Sequence, residues 1–388
     1  MKTMFGGRDG ATAARGPGGE QLATRSETAA DAAMTSLRRG VMGAILAHNH
    51  ATLGMTVGRR FSSLALLLSF AGVLLAQMPA WPREAEAPAA PKPAPPPAAM
   101  APLIGEYEGP SGAHLYVLER DGRLWTILDR GEATPFDDGR DLIVTRGVGG
   151  RVASLELPTG TYKRLQVGPE GGGQLQITPV RSVADILQES LTATPPQETG
   201  TRRPSDLVEL VKIDSTVKLD IRYATTNNFL GSVFYAEARA FLQRPAAEAM
   251  IRAHRALKPL GYGLLVHDGY RPWYVTKTFW EATPQETRWL VANPDQGSKH
   301  NRGAAVDLTL YDLTTGAVIE MPSTYDESTP RAYAFYPGGT SLQRWHRALL
   351  RRLMEAEGFT VNPQEWWHFD YKDWQSYGIG NVPFSQIK

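Results

Sequence analysis

Two stretches far apart in the chain carry the residue types of a hydrolytic metal centre. The segment Ser298-Lys299-His300-Asn301-Arg302-Gly303-Ala304-Ala305-Val306-Asp307 supplies an imidazole and a carboxylate, and Glu365-Trp366-Trp367-His368 supplies a second imidazole with an acid three positions before it. Zinc that does chemistry takes three protein ligands and leaves its fourth tetrahedral position to water. The metal lowers the pKa of that water, and a neighbouring carboxylate can take its proton. His300, Asp307 and His368 are therefore read as the ligands of one zinc ion, and Glu365 as the base.

Each half of this inventory also has a plainer explanation. With eight histidines in 388 residues, a His and an Asp six positions apart arise easily by chance, and His300 could be a solvated loop residue. Its surroundings point elsewhere. Asn301-Arg302-Gly303 is a turn signal, and Ala304 to Leu310 reads as a strand entering the core. Asp307 lies inside that apolar run, where a carboxylate is costly unless it is paired or binds a metal. Pairing with Arg302 or Lys299 is the alternative. On a regular strand alternate residues share a face, so Glu365 and His368 would point to opposite sides. A shared site requires a bend between them.

A third element is His267-Asp268-Gly269-Tyr270-Arg271-Pro272, at the end of a strand-like run from Gly261. Pro272 biases Arg271 toward extended backbone. An arginine held there could stabilise the oxyanion of a tetrahedral intermediate, because its charge is permanent and its donors are planar. It could equally be a surface residue paired with Asp268, which reads as a group that orients Arg271 rather than one that titrates in catalysis. His267 is a further imidazole available to a metal.

These residues resemble the zinc D-alanyl-D-alanine dipeptidases. Five blocks appear in the family's order: Tyr223-Ala224-Thr225 with Asn228 to Gly231, Asp268 to Pro272, Ser298 to Asp307, Met321 to Asp326, and Glu365 to Phe369. The likeness spans roughly residues 207–384. It implies that His300, Asp307 and His368 bind zinc, that Glu365 is general base and then acid, and that Arg271 stabilises the transition state. It also implies that Tyr223 and Asp326 recognise the substrate ammonium and Ser298 its carboxylate. The sequence departs from the pattern at Lys299, where a small Ser is expected, at Pro322, where Gly is, and at Tyr325, where Phe is usual. No catalytic group is lost, but the pocket lip can differ. The expected reaction is hydrolysis of D-Ala-D-Ala or a close dipeptide. The alternatives are a D,D- or L,D-carboxypeptidase that trims longer wall peptides and a non-catalytic zinc-binding wall module.

The rest of the sequence sets the frame. Hydrophobic residues make up 42% and charged residues 21%, with a net charge of +1, so no basic field argues for nucleic acid. The absence of cysteine excludes disulfides, thiolate ligands and a cysteine nucleophile. Residues 1–54 read as a disordered or mis-annotated extension. Residues 55–80 read as a signal peptide or membrane anchor, with an apolar core from Phe61 to Ala76 after Arg59-Arg60. An exported protein of the periplasm or cell envelope is expected, with possible anchoring through 61–76. Residues 81–102 form a Pro/Ala-rich linker. Residues 103–192 predict a small antiparallel β domain of six to eight strands, a candidate for peptidoglycan contact, with a hairpin at Asp121-Gly122. A second linker, 193–206, leads to the peptidase domain, 207–388. Helical faces around Ala246 to Lys258 and Trp345 to Met354, a capping signal at Thr283-Pro284-Gln285-Glu286, and strands between them argue for α+β with a mainly antiparallel sheet flanked by helices.

Overall fold

The computed structural model describes residues 91–136, 143–147, 152–168 and 175–388. The expected extension 1–54 and signal or anchor segment 55–80 lie outside the described residues. Of the Pro/Ala linker, residues 91–102 are described. Lys92 lies over the ring of Tyr262 at 5.2 Å, so this part of the linker rests on the folded body.

The C-terminal region is built on a five-stranded sheet. Its strands are β9 (Lys218–Leu219), β11 (Tyr262–Asp268), β12 (Ala305–Asp312), β13 (Phe359–Asn362) and β14 (Glu365–Tyr371). They lie in the order β13-β14-β12-β11-β9. Strand β9 runs parallel to its neighbour, and the other pairings in this sheet are antiparallel. Alternation along β12 sends Val306, Leu308 and Leu310, all fully buried, into the core and leaves Asp307 on the opposite face. Two helices pack on each other and on the sheet, α3 (Arg244–Leu257) and α5 (Ser341–Ala356). Helix α3 starts with Pro245 in its first turn, where a missing N–H costs nothing. Helix α5 has a full capping box: Gln343 N–H donates to Thr340 Oγ1, and Thr340 N–H donates to Gln343 Oε1. A two-stranded sheet of β8 (Leu207–Glu209) and β10 (Phe241–Gln243) and the short helix α2 (Leu210–Ile213) complete this side.

The capping signal at Thr283 has a different outcome. The Thr283 hydroxyl donates to Phe279 C=O, closing α4 (Trp273–Ala282), and the next element is a 3₁₀ turn, Gln285–Leu290, with no side-chain cap. One hydroxyl cannot serve both ends, and the preceding helix takes it. The stretch Val183–Thr192, placed by sequence in the β region, is a helix, α1. Ser182 caps it, and Val183 and Ile186 join the C-terminal core while α1 packs on α4.

The N-terminal sheet has seven antiparallel strands between Gly105 and Arg164. These are β1 (Gly105–Glu108), β2 (His114–Arg120), β3 (Arg123–Leu128), β4 (Thr134–Pro135), β5 (Ile143–Arg146), β6 (Val152–Leu157) and β7 (Gly160–Arg164). Their order is β4-β3-β2-β1-β7-β6-β5. Asp121 and Gly122, both at positive φ, make the β2–β3 hairpin. Strand β2 is buried on both faces. Leu115 and Val117 pack inward with Tyr107, Val152 and Tyr162, while Tyr116 and Leu118 pack with Tyr333 and Tyr336 of the C-terminal region. Buried glutamates pin this contact: Tyr336 Oη donates to Glu106 (2.7 Å) and Ser341 N–H donates to Glu119 (2.7 Å).

The turn that feeds β12 depends on Gly303, which sits at φ +65° with its N–H on His300 C=O. An added Cβ would meet Leu207 Cδ2 at 2.5 Å. Gly303→Ala is expected to lose about 1–2 kcal/mol from the left-handed backbone alone, and more from the clash, in urea unfolding. Because the turn carries His300, metal affinity falls in the same variant.

Candidate metal centre and substrate cleft

In the antiparallel β12–β14 pair, Asp307 lies directly opposite His368, so the two side chains leave the sheet on one face. His300 reaches the same point from the 3₁₀ turn His300–Arg302 just before β12. Buried Asn301 ties that turn to the Arg271 loop, donating to Arg271 C=O (2.7 Å) and Thr276 Oγ1 (2.9 Å). The expected conflict between Glu365 and His368 is resolved by a bulge. Val361 pairs with Phe369, yet the next residue, Asn362, pairs with Glu365, so Trp366, Trp367 and His368 arch without partners on that side. Glu365 Oε2 thereby lies 3.8 Å from His368 Nδ1 and accepts from Asn362 Nδ2 at 2.9 Å.

Three potential donors converge: His300 Nε2, Asp307 Oδ1 and His368 Nδ1, separated by 3.1, 3.0 and 3.4 Å. Ligand atoms about 2.0–2.1 Å from a tetrahedral zinc lie about 3.3–3.4 Å apart, so the triangle has zinc dimensions. The far side of each group is occupied. His300 Nδ1–H donates to Gly269 C=O (2.8 Å), His368 Nε2–H donates to Asp370 Oδ1 (3.0 Å), and Tyr325 Oη donates to Asp307 Oδ2 (3.1 Å). These bonds leave the ring lone pairs and the free carboxylate oxygen facing one another, an arrangement that a cation stabilises. Burial disfavours charge on both Asp307 and His368, yet with no cation bound His300 and then His368 draw the proton from Asp307, while Asp307 and Asp370 hold the proton on His368. Asp307 is held well below the usual carboxylate range, and His368, assisted by Asp370, is pushed up to about 10.

A profile described as Peptidase_M15, D-ala-D-ala dipeptidase, matches residues 203–384. A D-alanyl-D-alanine dipeptidase of Escherichia coli is 32% identical over 181 residues, which is 47% of this chain and 92% of that protein. A protein of the same name from Enterococcus faecalis is 34% identical, over 40% of this chain and 87% of its own length. One from Streptomyces coelicolor is 32% identical, over 43% and 92%. The chain belongs to the D-alanyl-D-alanine dipeptidase family. Members of this family are zinc-dependent hydrolases, and the triad fits that ion in number, type and spacing.

In this dipeptidase-family chain, the metal triad opens into a cleft of about 430 Å³ that also contains Glu365, Arg271, Tyr223, Ser298 and Asp326. Asp268 accepts two bonds from Arg271 on Oδ2, from Nε (2.9 Å) and Nη2 (2.8 Å), and its Oδ1 is fixed by Tyr235 Oη and Gly269 N–H. The guanidinium lies over the rings of Tyr223 (5.2 Å) and Phe279 (5.0 Å). Ser298 Oγ accepts from His300 N–H at 3.2 Å. Tyr223 Oη donates to Asp326 Oδ2 at 3.3 Å. Neither Lys299 nor Arg302 pairs with Asp307: Lys299 pairs with Asp370, and Arg302 with Glu198. His267 is not among the converging donors. Its ring stacks on Tyr325 at 4.4 Å.

Of three residues that sequence reasoning misses, Asp370 and Tyr325 support the triad and Asn362 supports Glu365. Asp370 stands two positions after His368, so strand alternation alone places both on one face. Tyr325 stands out in the sequence only as a departure from the family pattern, and Asn362 carries no signal at all. Asp370→Asn is expected to weaken zinc binding about 10–100-fold without unfolding the protein, and Tyr325→Phe, the residue usual in this zinc family, by less, read by competition with a chromophoric chelator.

Burial raises the Asp326 carboxyl from 3.8 to about 8, with Asp307 and Glu365 adding to the shift while Arg271 and Tyr223 oppose it. The folded metal-free protein then holds a proton there that the unfolded chain has released. Its stability should fall as pH rises from about 4 to about 8, and the cost is complete above that range. In chelator-treated protein Asp326→Asn is expected to lose this component, so its melting temperature gains on wild type as pH rises.

Proposed function

We propose that this protein hydrolyses D-Ala-D-Ala, or a closely related free dipeptide, in the cell envelope. The observation that carries the reading is that one cleft holds both the zinc-type triad with Glu365 beside it and the Asp326–Tyr223 pair. The names of the relatives support the same substrate. Zinc held by His300, Asp307 and His368 would supply a Lewis acid and acidify water.

The chain's own groups supply the rest. Burial raises the Glu365 pKa, as does Asp307, against the pull of His368 and His300, which makes it a better proton acceptor than an ordinary carboxylate. Asn362 aims its carboxylate. Glu365 takes a proton from the attacking water and returns it to the departing amine. Arg271, locked by Asp268, presents fixed donors to the developing oxyanion, and no reorganisation is needed as charge develops. Asp326, steadied by Tyr223, meets the substrate ammonium, while Ser298 meets the carboxylate. A blocked amine would leave Asp326 facing a neutral group, which disfavours longer peptides. Export through the apolar segment Phe61–Ala76 belongs to the same reading.

An amine-release assay on D-Ala-D-Ala tests it. Activity is expected with zinc, is lost with chelator, and is at least tenfold lower on an amino-blocked analogue. Glu365→Ala is expected to lose about 10²–10⁴-fold in kcat with zinc still bound. Turnover of a pentapeptide above that of the dipeptide would instead support a carboxypeptidase.

A further inference from the structure

The family match begins at residue 203, yet part of the cleft wall comes from before it. Leu175 lines the cleft beside Asp326 and Phe229. The backbone of the same stretch is bonded to both of those neighbours. Leu175 N–H donates to Asp326 C=O (3.2 Å), and Ile177 N–H donates to Phe229 C=O (2.7 Å). Gln176 Nε2 adds a bond to Asn228 C=O (3.2 Å). Ile177 is buried in the C-terminal core and anchors the stretch. Asp326 sits at φ +58°, a conformation that disfavours a residue with a Cβ and persists only when its surroundings hold it. The Leu175 amide is one of those holds.

We infer that Leu175–Ile177 is a specificity element added to the family domain. It closes the amino end of the cleft and limits the side chain a dipeptide can carry on its amino-terminal residue. The inference rests on the proposed dipeptidase reading, in which Asp326 meets the ammonium. Leu175 lines the same cleft as Asp326, and its branched apolar side chain takes up space a larger residue would need. Small amino-terminal residues fit, and bulky ones meet Leu175. Because the wall and the carboxylate are joined through the backbone, shape selection and charge recognition act at one place.

The test compares D-Ala-D-Ala with D-Leu-D-Ala on the full chain loaded with zinc. Both kcat/KM and calorimetric affinity are measured, the latter in a Glu365→Ala background so that it does not depend on turnover. Wild type is expected to prefer D-Ala-D-Ala. Leu175→Ala is expected to shift the ratio toward D-Leu-D-Ala by about tenfold or more, with the melting temperature little changed, and Leu175→Met to restore the preference. An unchanged ratio in folded Leu175→Ala, with wild type active on D-Ala-D-Ala, overturns this inference and leaves the dipeptidase reading standing. Failure of wild type to cleave D-Ala-D-Ala defeats the dipeptidase reading, and the affinity ratio then decides the wall. Failure to bind either dipeptide overturns both.

Discussion

Asp307 places a carboxylate in the middle of a strand that is otherwise buried and apolar, and much of the site answers to that one cost. Its side chain is almost fully buried, so its charge must be matched within a few ångströms. Two imidazoles from different parts of the chain converge on one oxygen, and a tyrosine hydroxyl takes the other. The sheet register, the glycine turn before β12 and the arch in β14 all bring partners to this acid. A divalent ion completes the arrangement, since it supplies the positive charge toward which the three donors are already turned.

The same cleft separates two electrostatic tasks. At one end, fixed hydrogen bonds hold the metal donors and the Arg271–Asp268 pair in place before any substrate arrives. At the other, Asp326 stands in a setting that raises its pKa and disfavours its charge until a cation is near. The first end offers fixed donors and converging metal ligands, and the second is the part of the cleft where a positive charge would be most favoured.

The chemistry is far more legible in the sequence than its supports are. Asp307 stands out because a carboxylate inside an apolar run needs a partner, and the pairing of its stretch with Glu365 to His368, together with the family resemblance, points to the rest. Strand alternation, applied alone, puts Glu365 and His368 on opposite faces; the register shift that unites them depends on how β13 pairs, which is not local information. Thr283 has the neighbours of a cap, but the helix before it claims the hydroxyl. Val183 to Thr192 reads as part of a β region because of its surroundings, although Val183, Ile186 and Ser190 have helical spacing and are the buried residues of α1. Contacts such as Tyr325 to Asp307 join residues eighteen positions apart through a loop, and no periodicity announces them.

Strand β2 has no solvent face. One side belongs to the N-terminal sheet and the other to Tyr333 and Tyr336, with Glu106 and Glu119 bonded across the seam. Melting the C-terminal partner would expose an apolar strip on the sheet and leave Glu106 and Glu119 without Tyr336 and Ser341. Each half therefore covers apolar surface of the other, and cutting the chain before residue 203 would uncover Tyr333 and Tyr336 and remove Val183 and Ile186 from the core.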